Sequence, residues 1–249
     1  MREDARYWIA LSFVNGLGDV LIKSLFSRFR KTEDVFRASL KVLAEIEGTG
    51  EKTAQAIKEF DDREKVDHEV EKIENSGFAF LTLSYPDYPG QLVQIYNPPP
   101  LLFMNGDLAE RDSLSIAIVG SRVPDKYGRL VTEAQVGELA SLGMTIVSVM
   151  AWGIDSMAQE MALRRGGCTI AVLGSGVDVV YPPENKKLYR DISERGAVLS
   201  EFLIGTPPLA QNFPRRNRII SGMSLGVVVV QASDKSGSHI TASFALDQN

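Results

Sequence analysis

One cysteine in 249 residues leaves nothing with which to close an internal disulfide. A lone Cys168 fits a reducing compartment. The chain has two histidines, His68 and His239, far apart and without metal-ligand spacing, so no metal site is expected. No apolar run approaches the ~20 residues of a spanning helix. The opening MREDARYWIA lacks the apolar core of an export signal. The expectation is a cytoplasmic protein with no membrane association and no cofactor. Nor is there a large charge of one sign: 27 Lys and Arg stand against 32 Asp and Glu, a net of −5. Hydrophobic residues make up 44%, enough for a sizeable core without a disulfide or metal staple.

The charge is uneven along the chain. Residues 1–113 carry 14 Lys and Arg against 20 Asp and Glu, whereas residues 114–249 carry 13 against 12. A polyanion partner is therefore not excluded, provided that positive charge is focused in one place.

The first part reads helical. VNGLGDVLIKSLFSRF (14–29) and IEGTGEKTAQAIKEF (46–60) share an apolar residue, a G-x-G turn and an amphipathic helix. This resembles a helix-hairpin-helix motif used twice, whose turn amides can touch phosphates. The acids Asp19, Glu47 and Glu51 beside the glycines repel phosphate and favour a packing role. GTGEKT is not a P-loop, because the G-x4-G-K-[ST] spacing is absent and no strand precedes it. The charged stretch 61–77 reads as a solvated helix at a domain boundary. Residues 1–74 are expected to form a small helical domain and residues 75–249 a second one. Pro98, Pro99 and Pro100 forbid helix at the approach to that second domain.

From Leu114 five apolar runs of strand length recur: LSIAIVG, MTIVSVM, CTIAVLG, AVLSEF and LGVVVVQA, with helix-length stretches between them. Most lack in–out alternation, which points to strands buried on both faces. The fold class is α/β, a doubly wound, mostly parallel sheet. Right-handed crossovers bring the loops after the strands to one rim. That rim gathers Ser121 and Arg122; Ser148, Trp152, Gly153 and Asp155; Gly174, Ser175, Gly176, Lys186 and Lys187; Arg215, Arg216, Asn217 and Arg218; and Lys235, Ser236 and Gly237. Glycine, hydroxyl, Arg and Lys together are the chemistry of oxyanion binding.

Each residue also has a plainer role open to it. Gly174 and Gly176 can end a strand, Ser148 can be a satisfied core hydroxyl, and Asp155 reads best as a helix N-cap. Trp152 can pack in the core or stack a base. Arg216 and Arg218 need anionic partners if buried, and acids are sparse nearby. Other functions fail at particular residues. GSRVPD is not the G-x-G-x-x-G of a dinucleotide fold, and the second strand ends without an acid for a ribose. No Ser-His-Asp set and no acid pair for metal-assisted phosphoryl transfer is readable.

The ordered strings VGSR, SVMAWGID, IAVLGSGVDVVYP, LSEF, FPRRNRIISG and SGSHITA resemble the DNA-processing protein A family (DprA/Smf) over nearly the whole chain. The resemblance implies an extended Rossmann-like domain behind a small helical module. It implies a non-enzymatic, single-stranded-DNA-binding homodimer that loads RecA onto incoming strands in natural transformation, countering single-strand binding protein. Carried onto this chain, Arg122, Lys186 or Lys187, Arg216, Asn217 and Arg218 are the expected phosphate contacts. Gly174, Ser175 and Gly176 are the expected backbone anion binders. The chain departs from the pattern at Val149 (usually glycine), Gln159 (often histidine) and Gln231 (often glutamate). It also stops at FALDQN, where the family continues, which would leave a sheet edge open. The alternative is a nucleotide-processing enzyme of the lysine-decarboxylase-like phosphoribohydrolase group, although that group's P-G-G-x-G-T string is absent.

Overall fold

A computed structural model describes residues 4–234 and 236–248. The chain divides into two compact units, one running to Tyr88 and including Tyr96–Leu102, the other formed by Pro89–Ile95 and the residues from Phe103 onward.

The first unit holds six helices, α1 (Ala5–Phe13), α2 (Asp19–Phe29), α3 (Thr32–Arg37), α4 (Leu40–Ala44), α5 (Gly50–Glu59) and α6 (Arg63–Ser76), then strand β1 (Ala79–Thr82). The two G-x-G passages are turns between α1 and α2 and between α4 and α5. Gly16 and Gly48 take φ of 79° and 81° there, a conformation costly for any residue with a Cβ. Trp8, Ile9, Leu11, Leu25, Leu43 and Ile57 close the core. The charged stretch becomes α6, whose N-cap Asp62 accepts the Lys65 N–H and whose C-cap Gly77 is left-handed. The unit extends past that helix because Asp4 gathers the residues after β1: its carboxylate accepts from Ser84 Oγ at 2.9 Å, Tyr85 Oη at 3.2 Å and Trp8 Nε1 at 3.3 Å.

The second unit contains α7 (Gly90–Gln94), β2 (Leu101–Gly106) from Phe103 onward, β3 (Ser115–Gly120), α8 (Lys126–Ser141), β4 (Thr145–Ser148), α9 (Ile154–Arg164), β5 (Thr169–Val172), α10 (Lys186–Arg195), β6 (Ala197–Ser200), α11 (Asn212–Gly222), β7 (Val227–Val230) and α12 (Ser238–Gln248). Its strands run in the order β2-β6-β5-β4-β3-β7. All neighbours are parallel except β2 against β6. Each of β4, β5 and β6 is buried at every position, as a sheet covered on both faces requires. By contrast β7 lies beside β3 at the end of the order and is only half-buried over Val227–Val229.

The steps β3 to β4, β5 and β6 all move one way, and their helices pack in succession, α8 on α9 and α9 on α10. The return to β7 reverses direction, and α11 packs on α12. The loops after β3 and β7 thus diverge to opposite faces and leave a crevice at the strands' carboxyl ends.

Helix α11 carries NFPRRNRIISG, so the whole arginine cluster rides the helix and none of it the preceding loop. Pro214 sits in its first turn, where the missing N–H is harmless. At 100° per residue, Arg215 and Arg218 share a face and Arg216 points elsewhere. Arg218 is 1% exposed, and Nη1 and Nη2 each donate to one oxygen of Glu201 at 2.7 Å. Nη1 also donates to the Arg215 carbonyl at 2.7 Å. Arg215 Nη2 lies 2.9 Å from Glu201 Oε2, and its guanidinium sits over the Phe202 ring. The counter-acid is Glu201, the first residue after β6. Arg218 therefore drops out of the set of candidate phosphate contacts, because its fork is spent on a buried carboxylate.

Breaking a buried pair from one side leaves an uncompensated charge. Glu201→Gln is expected to lower unfolding stability by about 3–5 kcal/mol, read from the denaturant midpoint. Lys187→Ala, which removes an exposed i,i+4 pair with Asp191, should leave that midpoint in place.

Candidate nucleic-acid interface

The crevice is a groove of about 660 Å³. Several segments line it. The loop after β3 gives Ser121 and Arg122, the loop after β4 gives Val149 and Trp152, and the first turn of α9 gives Asp155. The end of β5 gives Gly174 and Ser175, helix α11 gives Phe213, Arg216 and Asn217, and the loop after β7 gives Ser236 and Gly237. Separate rim segments of the sequence thus meet at one place.

The loops interlock through backbone. Ser121 N–H donates to the Gln231 carbonyl at 2.8 Å, and the Ser121 carbonyl accepts the Ile154 N–H at 3.0 Å. Gly153 has φ of 82°, and a Cβ there would overlap the Ser121 carbonyl and the Arg122 backbone. It does not line the groove. Its role is to let the second loop close on the first, and as N-cap of α9 it displaces the expected N-cap, Asp155, into the helix.

Asp155 is 3% exposed, at the groove floor. Ser148 Oγ lies 2.9 Å from Asp155 Oδ1 and 2.7 Å from the Ile118 carbonyl. Ser148 itself is fully buried and does not reach the groove, so its expected contact with a strand is replaced by contact with this acid. Burial pushes the Asp155 carboxyl up to about 6, against the pull of the Ser148 hydrogen bond and the charge of Arg216. Arg216 is 5% exposed, and its guanidinium donates to the Val172 carbonyl and, through Nε at 3.1 Å, to Asn217 Oδ1. Burial pushes Arg216 down to about 10; Asp155 and Glu201 oppose that shift, and the nearby charge of Arg122 adds to it. At neutral pH Arg216 stays cationic, and Arg122 stands exposed beside the groove.

The third loop behaves differently from the expectation. Gly174 lines the groove because a side chain there would meet the Phe213 ring. Ser175 Oγ donates to the Val179 carbonyl at 2.7 Å, so this hydroxyl is spent. The Gly176 N–H donates to the Thr206 carbonyl at 2.8 Å and is lost as an anion donor. Lys186 and Lys187 begin α10 and do not line the groove; Lys187 pairs with Asp191 at 2.7 Å. Arg215 does not line it either. Lys235 lies outside the described residues. The groove has an aromatic side that the sequence reading understated. Trp152 is 47% and Tyr181 42% exposed, and Tyr181 packs on Phe213 with ring centroids 5.8 Å apart.

The three departures have local explanations. Val149 faces the groove, and the strained residue is its neighbour Met150, at φ of 59°. Gln231, at φ of 52°, accepts the Asp125 N–H through Oε1 at 3.0 Å, an acceptor role that an amide or a carboxylate fills equally. Gln159 donates to the Ile170 carbonyl at 3.1 Å, and its Oε1 is buried without a partner. Among the described residues no group of three His, Cys, Asp or Glu side chains is placed to hold a metal ion. No helix of these residues is long and apolar enough to cross a membrane.

Comparison with known proteins adds the family. The model of DNA recombination-mediator protein A matches residues 79–249, and that of the SAM-like helix-hairpin-helix tandem matches residues 9–60. Protein Smf of Synechocystis is 41% identical over 99% of this chain and 63% of its own length. Of four such relatives the chain spans between 43% and 63% of their length. The X-ray structure of DNA processing protein A from Streptococcus pneumoniae superposes with a TM-score of 0.79 at 34% identity, covering 100% of this chain and 84% of that one. A structure of DNA processing protein A from Helicobacter pylori, described for its single-stranded DNA binding mode, superposes with a TM-score of 0.62 at 35% identity, over 70% of this chain and 79% of that one. Matched over more than half its length by the family model, the chain belongs to the DNA recombination-mediator protein A family, with a helix-hairpin-helix unit ahead of a Rossmann-like sheet.

Proposed function

We propose that this chain binds single-stranded DNA in the groove at the carboxyl ends of β3, β4 and β5, as part of a recombination mediator. The observation that carries this reading is the pairing, in one groove, of an exposed guanidinium (Arg122) and a buried one (Arg216) with an exposed tryptophan (Trp152). Guanidinium forks take phosphate oxygens whatever the base, and an aromatic face takes an unpaired base whatever its identity. The single-stranded DNA binding named for the Helicobacter pylori protein supports the same substrate class. Loading of RecA onto the bound strand in natural transformation, displacement of single-strand binding protein and action as a homodimer, without catalysis, complete the proposal.

A second reading, a nucleotide-processing enzyme acting on nucleoside monophosphates, rests on Asp155, a carboxyl near neutrality in the same groove. Free base released from nucleoside monophosphates, and lost in Asp155→Asn, would put it ahead of the first.

Two measurements test the binding reading. If three to five phosphates are neutralised, the affinity for oligo-dT falls with salt at a log–log slope of roughly −2 to −3.5. In gel shifts across a salt series, Arg122→Ala should weaken binding and flatten that slope by about 0.7, the share of one single-strand phosphate. Trp152→Ala should cost about 1–3 kcal/mol of single-strand affinity and leave the slope unchanged. Affinity for oligo-dT that ignores salt, or that acidic peptides compete away, sinks the reading.

A further inference from the structure

From the groove floor inward stand three oxygen atoms in a row: Asp155 Oδ1, which lines the groove, then Ser148 Oγ and the Ile118 carbonyl buried beneath it. The serine oxygen lies 2.9 Å from the first and 2.7 Å from the last. Both neighbours are within donating distance of one hydroxyl, and a hydroxyl has one proton. With Asp155 ionised, only one of the two contacts can be a hydrogen bond. With Asp155 protonated, its O–H donates to Ser148 Oγ, the serine donates to the Ile118 carbonyl, and both contacts are satisfied. The buried row is therefore one proton short when the carboxylate is charged.

The same carboxyl lies under the anion site. It lines the groove with Arg216 and Arg122. We infer, building on the single-strand reading, that seating a phosphate of the strand in this groove is coupled to uptake of one proton by Asp155 from solvent. Occupancy acts in one direction on that carboxyl. It brings a second negative charge to the groove, displaces water from it and turns part of the field of Arg216 and Arg122 toward the phosphate. Each effect disfavours the carboxylate and favours the neutral acid. The groups facing Asp155 are Ser148 from β4, the Gly120 backbone from β3, Arg216 from α11 and the amide of its own helix. Around Arg216 stand Asp155, Glu201 after β6 and Arg122 after β3.

The sign follows by linkage. In the free protein burial already holds the acid at about 6, and in the complex it is held higher. Between those two values binding takes up protons. Affinity then rises as pH falls through the window and levels off below the lower value. Each unit by which occupancy raises the acid is worth up to tenfold in affinity. A phosphodiester carries no group that titrates in this window, and oligo-dT is therefore the probe. His239, whose ring meets the Ser233 carbonyl at 3.1 Å, is substituted as the control.

The experiment is calorimetric titration of the full chain with oligo-dT from pH 5.5 to 8, at fixed salt, in pairs of buffers with different ionisation heats. The expected result is net uptake of a fraction of a proton near pH 6.5, with affinity several-fold higher at pH 6 than at pH 8. Asp155→Asn, a permanently neutral isostere, should abolish the uptake and bind at pH 8 about as tightly as the parent at pH 6. His239→Gln should keep the uptake. Buffer-independent heats of binding across the range overturn the inference while leaving the single-strand reading intact. Uptake that survives in Asp155→Asn and disappears in His239→Gln overturns it as well. Absence of any oligo-dT binding by the parent overturns both. If Asp155→Asn does not fold, the parent's buffer dependence and the His239→Gln control decide alone.

Discussion

A buried carboxylate, Glu201, fixes the geometry on which the groove depends. It sits one residue past β6 and receives Arg218 in a two-pronged pair, with Arg215 closing over it from the same helix face. Such a pair is not a generous source of stability, since removing both charges from water offsets much of what their attraction contributes. Its consequence is orientation. With Arg218 pinned, helix α11 has one rotational setting against the sheet, and that setting turns Arg216 toward the ends of β4 and β5. The groove's buried cation is thus placed by a pair that does not itself line the groove.

The helix repeat explains why a tight arginine cluster does two jobs. Residues three apart lie about 60° apart around the axis, and residues two apart lie about 160° apart. Arg215 and Arg218 can share one acid; Arg216 cannot join them. In a loop the same RRNR string could present all its guanidinium groups to one strand. Read from sequence alone, with a proline just ahead, the string suggested a loop running into a helix start and a single cationic crest. Proline at the first turn is compatible with either conformation, so the cluster's division became legible only once α11 was seen to begin at Asn212.

What could be read from sequence followed the strength of the local signal. The apolar runs after Leu114 became β3 to β7, because continuous burial on both faces leaves a strong pattern, and their order in the chain placed the loops on one rim. The groove's composition from those loops was legible for the same reason. What was not legible was whether a particular donor is free. Gly176 and Ser175 carry the right chemistry, yet Thr206 and Val179 consume it. Ser148 and Asp155 stand seven residues apart and form a buried contact that only the stacking of α9 on β4 creates. Glu201 was visible as part of LSEF, but no spacing rule connects it to an arginine seventeen residues later. Long-range polar pairing leaves no periodicity in a sequence, and it is what separates the retained candidates from those withdrawn.

An acidic chain that gathers an anion faces a choice between lowering its overall charge and focusing a local one. On the proposed single-strand reading this protein does the second, with an acid in place. Asp155 and Arg216 are both nearly excluded from water, each shifted toward its neutral form by burial and held partly charged by the other. An unoccupied site built only of buried guanidinium would carry the full cost of an uncompensated charge. A fixed carboxylate would remove that cost and then compete with the phosphate. Under the proposed coupling, a carboxyl that takes up a proton would do neither: charged, it would steady the groove, and neutral, it would leave the cation to a phosphate. Ser148 makes the exchange possible without moving any heavy atom, because its single hydroxyl proton can turn from the carboxylate to the Ile118 carbonyl.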